Sequence, residues 1–327
     1  MGKILNDELK TFIFGAVDIF EDGDWVCFSR FTEKQSLWLK NNGFQNERYS
    51  SSGIRLELIT KGGLLSFDYH SEKSTKGDLA IFGLEITIDG LPYYHIYKEE
   101  LPITDKIKFE IPKHNDAVHV AVYFPLRASI KLKDVILPDD AQPARKDLKI
   151  LTLGDSITAG AVCRHPNHCY VNLIADNLNA EVVNQGVGGA RFFPDFIDVL
   201  PFEPDIVTIA YGVNDFGDGV LISKMPKMFF EKIYRIYNEK KVFVLLPIWF
   251  GKEEESKVNT FDEGRKYLKE LAQKYPNFLV IDCKEFVPHL SEFFWDEANL
   301  HPNDLGFLYY GKNLTNQIKT LLNVDNK

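Results

Sequence analysis

Cysteine is scarce in this sequence, which has four cysteines in 327 residues. Disulfide-stabilised folds are short and dense in cysteine, so this number is too small for a disulfide scaffold. A free cysteine usually behaves as a small buried hydrophobic residue. We therefore expect free thiols, most of them buried, at Cys27, Cys163, Cys169 and Cys283.

An excess of positive charge and long apolar runs are also missing. The net charge of −9 disfavours a polyanionic partner such as nucleic acid. No apolar run approaches the roughly 20 residues that a membrane-spanning helix needs. The first residues, Met1–Glu8, lack the apolar segment and the cleavage site of a secretory signal. These absences predict a cytoplasmic protein that binds neither nucleic acid nor membrane.

The length and the change of pattern along the chain predict two domains. A chain of 327 residues is longer than one hydrophobic core usually organises. The polar, proline-bearing segment Leu137–Lys146 separates two different hydrophobic periodicities, as expected of a domain boundary. We therefore predict one domain over residues 1–145 and a second over residues 146–327.

The first of these domains is predicted to be an antiparallel β-sandwich of the jelly-roll kind. Short runs of alternating polar and apolar residues follow one another, and such runs are typical of strands with one face buried. Asp89-Gly90, between two of the runs, is typical of a tight hairpin turn. The predicted strands are Gly53–Ile59, Leu64–Tyr69, Gly83–Ile88, Ile107–Ile111 and Ala117–Tyr123.

The second domain alternates strands with helices, which predicts a parallel sheet covered by helices on both faces. The predicted strands are Lys149–Leu153, Ala180–Asn184, Ile206–Tyr211, Lys241–Pro247 and Phe278–Asp282. Apolar residues at three- and four-residue spacing predict helices over Met228–Tyr237, Phe261–Tyr275 and Leu305–Leu322.

Ser156 follows the first strand of this second domain, after Gly154 and Asp155. The position just beyond the carboxyl end of a parallel strand is where open α/β sheets bind their ligands. A serine hydroxyl becomes a nucleophile when a neighbouring base removes its proton. Ser156 is therefore the candidate nucleophile, although a serine here could also simply cap the next helix.

Four short blocks, taken in order, resemble the SGNH (GDSL-type) hydrolases, a family of esterases and acyl hydrolases. The blocks are Gly154-Asp155-Ser156-Ile157-Thr158-Ala159-Gly160, Asn184-Gln185-Gly186-Val187-Gly188-Gly189, Gly212-Val213-Asn214-Asp215 and Leu300-His301-Pro302-Asn303-Asp304. The resemblance covers roughly the C-terminal half of the chain. It implies a three-layer, flavodoxin-like α/β catalytic domain over 146–327, with 1–145 as an accessory domain.

The resemblance also implies a role for each matching residue. Ser156 would be the nucleophile and His301 its general base. The N–H groups of Ser156 and Gly189 and the side-chain amide of Asn214 would form the oxyanion hole. Taken singly, each of these residues could be an ordinary turn or cap residue. The glycine block is not a dinucleotide-binding motif, because Arg191 stands where that motif has its last glycine.

The sequence departs from the family pattern at the third member of the triad. The family usually has an aspartate three residues before the histidine, and that position is Ala298 here. Glu297 and Asp296 stand slightly further upstream, so either carboxylate could orient the imidazole of His301. If neither reached it, the site would be a Ser-His dyad.

The predicted substrate is an ester of a small acyl group, acetyl above all, on a carbohydrate. The two-domain arrangement resembles carbohydrate esterases, and we expect Asp155, Arg191 and Trp249 to contact the substrate, with Phe192, Phe193 and Phe250 nearby. The alternatives are a lipase- or thioesterase-like hydrolase and a glycan-binding protein with a decayed site. The first domain could bind carbohydrate, with Trp38 and Tyr93-Tyr94 as candidates, form homo-oligomer contacts or roof the active site.

Cys163 and Cys169 flank His165 and His168, a set of residue types that also binds zinc. A zinc site would need all four side chains to converge within one short loop. We instead expect this loop to line the substrate pocket beside Ser156. We predict no metal and no organic cofactor.

Overall fold

The computed structural model describes residues 6–74, 82–251 and 260–322. The predicted domain ranges therefore include residues outside the described part. The described antiparallel strands are β1 (Ile13–Phe14), β2 (Asp18–Asp22), β3 (Trp25–Ser29), β4 (Arg55–Thr60), β5 (Gly63–Ser71), β6 (Phe82–Ile88), β7 (Leu91–Lys98), β8 (Ile103–Ile111), β9 (Val118–Tyr123), β10 (Lys131–Ile136) and β11 (Gln142–Pro143). The described parallel strands are β12 (Leu148–Gly154), β13 (Ala180–Gly186), β14 (Ile206–Ala210), β15 (Lys241–Leu246) and β16 (Phe278–Asp282).

The antiparallel strands form a β-sandwich, as predicted. One sheet has the order β1-β4-β9-β6-β7, with β11 paired to β4, and the other has the order β2-β3-β10-β5-β8. Strands β6 and β7 are joined by Asp89-Gly90, and both residues have positive φ angles (49° and 78°). Two central positions with positive φ define the tight hairpin turn that the sequence predicts.

Strand β4 is buried on both of its faces, although its sequence alternates between apolar and charged residues. Leu56 and Leu58 belong to the sandwich core. Arg55 and Glu57 point to the opposite face and are also buried, at 1% and 0% exposure. The α/β domain covers that face, because the Arg55 guanidinium contacts the carboxylate of Asp176 at 2.6 Å. The two domains therefore share an extensive buried interface.

The parallel sheet has the order β13-β12-β14-β15-β16. This is the flavodoxin-like order with its switch point at β12. The described helices are α1 (Asn6–Leu9), α2 (Glu33–Asn41), α3 (Tyr170–Asn177), α4 (Val213–Gly217), α5 (Lys224–Tyr237), α6 (Phe261–Ala272), α7 (Ser291–Phe294) and α8 (Asp304–Leu321). Helix α3 packs on α8 and α5 packs on α6; right-handed crossovers place the two pairs on opposite faces of the sheet. The predicted three-layer fold is confirmed.

Helix α2, in the first domain, is not among the predicted elements. It begins at a capping box in which the side chains of Thr32 and Gln35 bond each other's backbone N–H groups. Trp38 lies on this helix and packs against Phe193 and Phe196 of the α/β domain. It is therefore part of the domain interface rather than of a cross-strand pair. None of the helices in the described ranges has the length and apolar character of a membrane span.

Candidate active site

Ser156 lies beyond the centre of the parallel sheet, where three strands end at the same level. Gly154, the last residue of β12, is in register with Gly186 of β13 and Ala210 of β14. A Cβ atom on Gly154 would lie 1.9 Å from the Thr158 hydroxyl, so only glycine permits this tight turn. The turn presents the partly exposed Ser156 at the carboxyl edge of the sheet.

Ser156 and His301 are hydrogen-bonded to each other, with the Oγ atom of Ser156 2.9 Å from the Nε2 atom of His301. The histidine comes from the loop between α7 and α8. Asn303 caps the start of α8 by accepting the N–H of Gly306, which fixes the chain just after the histidine. The imidazole is largely buried, with 8% of its side chain exposed.

Asp296 is the carboxylate that contacts His301, with Oδ2 2.9 Å from Nδ1. Its other oxygen, Oδ1, accepts the N–H groups of Leu300 at 2.8 Å and of His301 at 3.2 Å. Asp296 lies two residues further from His301 than the aspartate of the family pattern does. A turn accommodates this longer spacing, and in it Asn299 donates its N–H to the Asp296 carbonyl. Asn299 has a φ of 53°, a left-handed conformation that asparagine tolerates better than most residues.

Glu297, the other candidate carboxylate, is exposed and has no hydrogen-bond partner among the described residues. Ala298 is also exposed. Burial tends to raise the pKa of Asp296, but the hydrogen bonds from His301 and Leu300 outweigh it and hold the pKa below its ordinary value. Asp296 is thus held as a carboxylate, which can orient the imidazole and stabilise its protonated form.

The glycine block and α4 bring hydrogen-bond donors to the same edge of the sheet. Gly189 has a φ of 76° and is exposed, and neither its N–H nor that of Ser156 has a partner among the described residues. Asn214 lies near the start of α4 and donates one amide hydrogen to the Ala190 carbonyl at 2.9 Å. An amide has two N–H hydrogens, so one stays available.

Two carboxyl groups are buried beneath the serine. Asp155 is 2% exposed and Asp215 is 1% exposed. Burial, together with the nearby charge of Asp215, raises the pKa of Asp155 to about 7. Burial likewise raises the pKa of Asp215 to about 6. Asp155 accepts the N–H of Ile157 and faces the interior, so the structure does not place it where the predicted substrate contact would occur.

The other predicted substrate contacts lie around the edge of the site. The Arg191 guanidinium forms an ion pair with Asp218 on the surface. Trp249 is half-buried, stacks on His289 at 4.5 Å between ring centroids and meets Trp295, the neighbour of Asp296, edge-on. Phe192 and Phe250 are buried in the core. An open cavity of about 570 Å³ adjoins Asp296, and its lining includes Arg164, Glu297 and Asp304.

The Cys-His loop is anchored by hydrogen bonds from its backbone. Asp304 accepts the N–H groups of Arg164 and His165, at 2.9 and 2.8 Å. His165 stacks on His168 and on His95 of the sandwich. Within the described ranges no group of three His, Cys, Asp or Glu side chains is placed to hold a metal ion, and all four cysteines are free thiols.

Several residues near the site come from the sandwich and were not predicted from the sequence. Phe44 lies beside Gly189, and the ion pair of Glu47 with Arg127 lies beside Gly188. Arg30 contacts the end of β13. Nothing local in the sequence marks these residues, because the residues that they contact lie far away along the chain.

Part of the chain is similar to a known protein family. The model of the GDSL-like lipase/acylhydrolase family matches residues 152–307. Residues 152–307 belong to this family. The match includes Ser156, Gly189, Asn214, Asp296 and His301. A comparison with curated proteins found no significant match.

Three solved structures share the fold over nearly the whole length of this chain. A salicylyl-acyltransferase, SsfX3, from a tetracycline biosynthetic pathway is 16% identical with a TM-score of 0.81, covering 95% of each chain. A GDSL-like lipase structure from Bacteroides ovatus is 14% identical with a TM-score of 0.71, covering 96% of each chain. A family two carbohydrate esterase from Clostridium thermocellum, in complex with cellohexaose, is 16% identical with a TM-score of 0.66, covering 95% of this chain and 99% of the other.

Proposed function

We propose that this acyl hydrolase is a serine esterase that removes small acyl groups, acetyl above all, from carbohydrates. The observation that carries the proposal is the continuous relay Ser156–His301–Asp296, in which both hydrogen bonds measure 2.9 Å. In this proposal residues 146–327 are the catalytic domain and residues 1–145 the accessory domain. No cofactor is required for the chemistry described below.

The reaction would begin with attack of Ser156 Oγ on the ester carbonyl carbon while His301 Nε2 takes the hydroxyl proton. The carbonyl oxygen becomes an oxyanion, which the N–H groups of Ser156 and Gly189 and the amide of Asn214 would stabilise. His301 then gives its proton to the leaving alcohol as the C–O bond breaks. Water attacks the acyl-enzyme by the same route and releases the acid. Asp296 stabilises the imidazolium at each stage.

The surroundings of Asp296 support a carbohydrate substrate. The cavity beside Asp296 has a mixed lining, in which polar groups lie beside apolar and aromatic surface, as suits a sugar ring; it is formed by Arg164, Asp296, Glu297, Asn303 and Asp304 and by Val162, Phe293, Trp295 and Leu305. Trp249 is half-buried and packs edge-on against Trp295, which belongs to this lining. Structures with this fold include an acetyl xylan esterase from Butyrivibrio proteoclasticus, 15% identical.

The alternatives make different predictions. A lipase- or thioesterase-like enzyme on the same machinery would prefer long acyl chains or thioesters. The glycan-binding alternative rested on Ala298, and the contact of Asp296 with His301 argues against it. A cytoplasmic location and a homo-oligomeric state remain proposals; the four free thiols fit a reducing compartment.

The test is hydrolysis of 4-nitrophenyl acetate, butyrate and octanoate, and of acetylated xylo-oligosaccharides, by the intact protein and by Ser156→Ala. We expect kcat/KM to fall steeply with acyl length and Ser156→Ala to lose nearly all activity. A preference for octanoate would contradict the carbohydrate deacetylase. Undiminished hydrolysis by Ser156→Ala would contradict the serine mechanism itself.

A further inference from the structure

Arg30 is a buried cation that crosses from the sandwich to the glycine block of the active site. It follows β3, and its side chain is completely buried. Its Nη1 donates to the carbonyls of Asn184 and Gly186, the latter at 3.0 Å, and both residues belong to the carboxyl end of β13. The guanidinium therefore reaches the strand end from which the glycine block departs.

The rest of the Arg30 guanidinium is anchored in the sandwich. Its Nε donates to the Ser50 carbonyl at 2.8 Å and its Nη2 to the Glu47 carbonyl at 3.4 Å. Burial lowers the pKa of Arg30 to about 10, which leaves it charged at neutral pH. A buried charge that is bonded to four backbone carbonyls has a fixed position, because each lost bond would leave the cation less compensated.

The glycine block is held on its other side as well. Val187 donates its N–H to the carbonyl of Gly154, at the end of β12. Gly188 lies against the buried ion pair of Arg127 and Glu47, where a Cβ would come within 2.5 Å of the Arg127 Nη2 atom. Gly189 comes directly after these anchored residues, so the direction of its N–H depends on their placement.

We propose that Arg30 is a positioning residue for the oxyanion hole. By binding the carbonyls of Asn184 and Gly186 from the sandwich side, it fixes the strand end that carries Gly189. This inference rests on the proposed function, in which the Gly189 N–H binds the oxyanion. It implies that the sandwich supports the catalytic machinery indirectly, because Arg30 does not contact the reacting atoms itself.

Arg55 provides a matched control at the other end of the same strand. It too is buried, at 1% exposure, and crosses between the domains. Its partners are Asp176 and Glu57, and its Nη2 donates to the Ala180 carbonyl at 3.3 Å. Ala180 and Gly186 begin and end β13, which separates them by about 20 Å at the usual rise per residue. Loss of Arg55 should therefore weaken the interface but not the oxyanion hole.

The experiment compares Arg30→Lys, Arg30→Met and Arg55→Lys in the full-length protein. For each we would measure kcat and KM with 4-nitrophenyl acetate, the Tm, and the rate of covalent labelling by a fluorophosphonate, which also needs the oxyanion hole. Lysine keeps the charge but cannot reproduce the guanidinium fork. We expect Arg30→Lys to lower kcat and the labelling rate by about 10- to 100-fold with KM within about threefold, since a displacement of about 1 Å can cost that much. Arg55→Lys should lower the Tm and leave kcat within about threefold.

Each other outcome has a defined meaning. A kcat for Arg30→Lys within threefold of the intact protein overturns the proposal, as does an equal fall in kcat for Arg55→Lys. Failure of both Arg30 variants to fold, while Arg55→Lys folds, would assign Arg30 a purely structural role and also overturn it. The Ser156→Ala variant separates this from the proposed function: if it stays active, the esterase mechanism fails, whatever Arg30 does.

Discussion

Replacing Asp296 by asparagine should disable the active site while leaving its shape nearly unchanged. Asparagine has the same size, and its carbonyl oxygen can still accept the N–H groups of Leu300 and His301 that now bond Oδ1. Its NH2 group would then face His301 Nδ1, where a carboxylate oxygen now lies at 2.9 Å. Nδ1 must accept that hydrogen bond, so the ring proton moves to Nε2. The nitrogen that faces Ser156 could then no longer take the serine proton.

The expected loss follows from this change of tautomer. The equivalent exchange in serine proteases lowers kcat about 10⁴-fold, and the residual activity comes from the oxyanion hole and binding. A fall of 10⁴-fold corresponds to about 5.5 kcal/mol in the activation barrier. We expect the kcat of Asp296→Asn to be about 10³- to 10⁴-fold lower than that of the intact protein, and its Tm to be within a few degrees.

Glu297→Gln is the matched control, because it makes the same chemical change one residue away on an exposed side chain. Both variants would be assayed with 4-nitrophenyl acetate at pH 8, with the Tm measured in the same buffer. Glu297→Gln should keep kcat within about twofold. Loss of less than tenfold in Asp296→Asn, or an equal loss in Glu297→Gln, would refute the assignment of Asp296 as the orienting carboxylate.

Two further predictions concern the residues beneath the site. The pKa of Asp155 is raised from 3.8 to about 7, so its contribution to stability is complete below about pH 4 and is lost as the pH rises through 7; the difference is worth up to about 4 kcal/mol. Asp155→Asn should therefore flatten the fall of Tm between about pH 4 and 7, and an unchanged pH profile would contradict the raised pKa. Gly188→Ala would place a Cβ within 2.9 Å of the Glu47 carboxylate. We therefore expect the free energy of unfolding, measured by denaturant titration, to fall by about 1 to 3 kcal/mol, and kcat to fall as well. Wild-type stability would show that the ion pair of Glu47 with Arg127 can move aside.

The parallel sheet could be predicted closely from the sequence because its strands are short apolar runs, and the central strands β12, β14 and β15 are largely buried on both faces. The predicted strand Phe278–Asp282 has the same bounds in the structure, and β12 differs by one residue at each end. Strand β15 ends at Leu246, one residue before the predicted Pro247, which has no N–H for the ladder. In the sandwich, β2 and β7 were missed because their side chains are largely exposed and give no apolar alternation.

The site was predictable where its residues belong to local motifs and not where it depends on long-range contacts. Ser156 and His301 stand in short recognisable blocks, and the structure brings them within hydrogen-bond distance. The choice between Asp296 and Glu297 stayed open because it depends on the turn at Asn299, which sequence spacing does not reveal. Arg30 lies 154 residues before its partner Asn184, so no sequence pattern could connect them.

The sandwich also protects the outer side of β13, which is an edge strand of the parallel sheet. Edge strands with free carbonyls and N–H groups invite pairing with other chains and so promote aggregation. Here the Arg55 and Arg30 side chains bind the carbonyls of Ala180, Asn184 and Gly186 along that edge. Removal of the sandwich would therefore expose an aggregation-prone strand edge close to Ser156. The side-chain contacts that cover β13 therefore protect the protein against aggregation, in addition to joining the two domains.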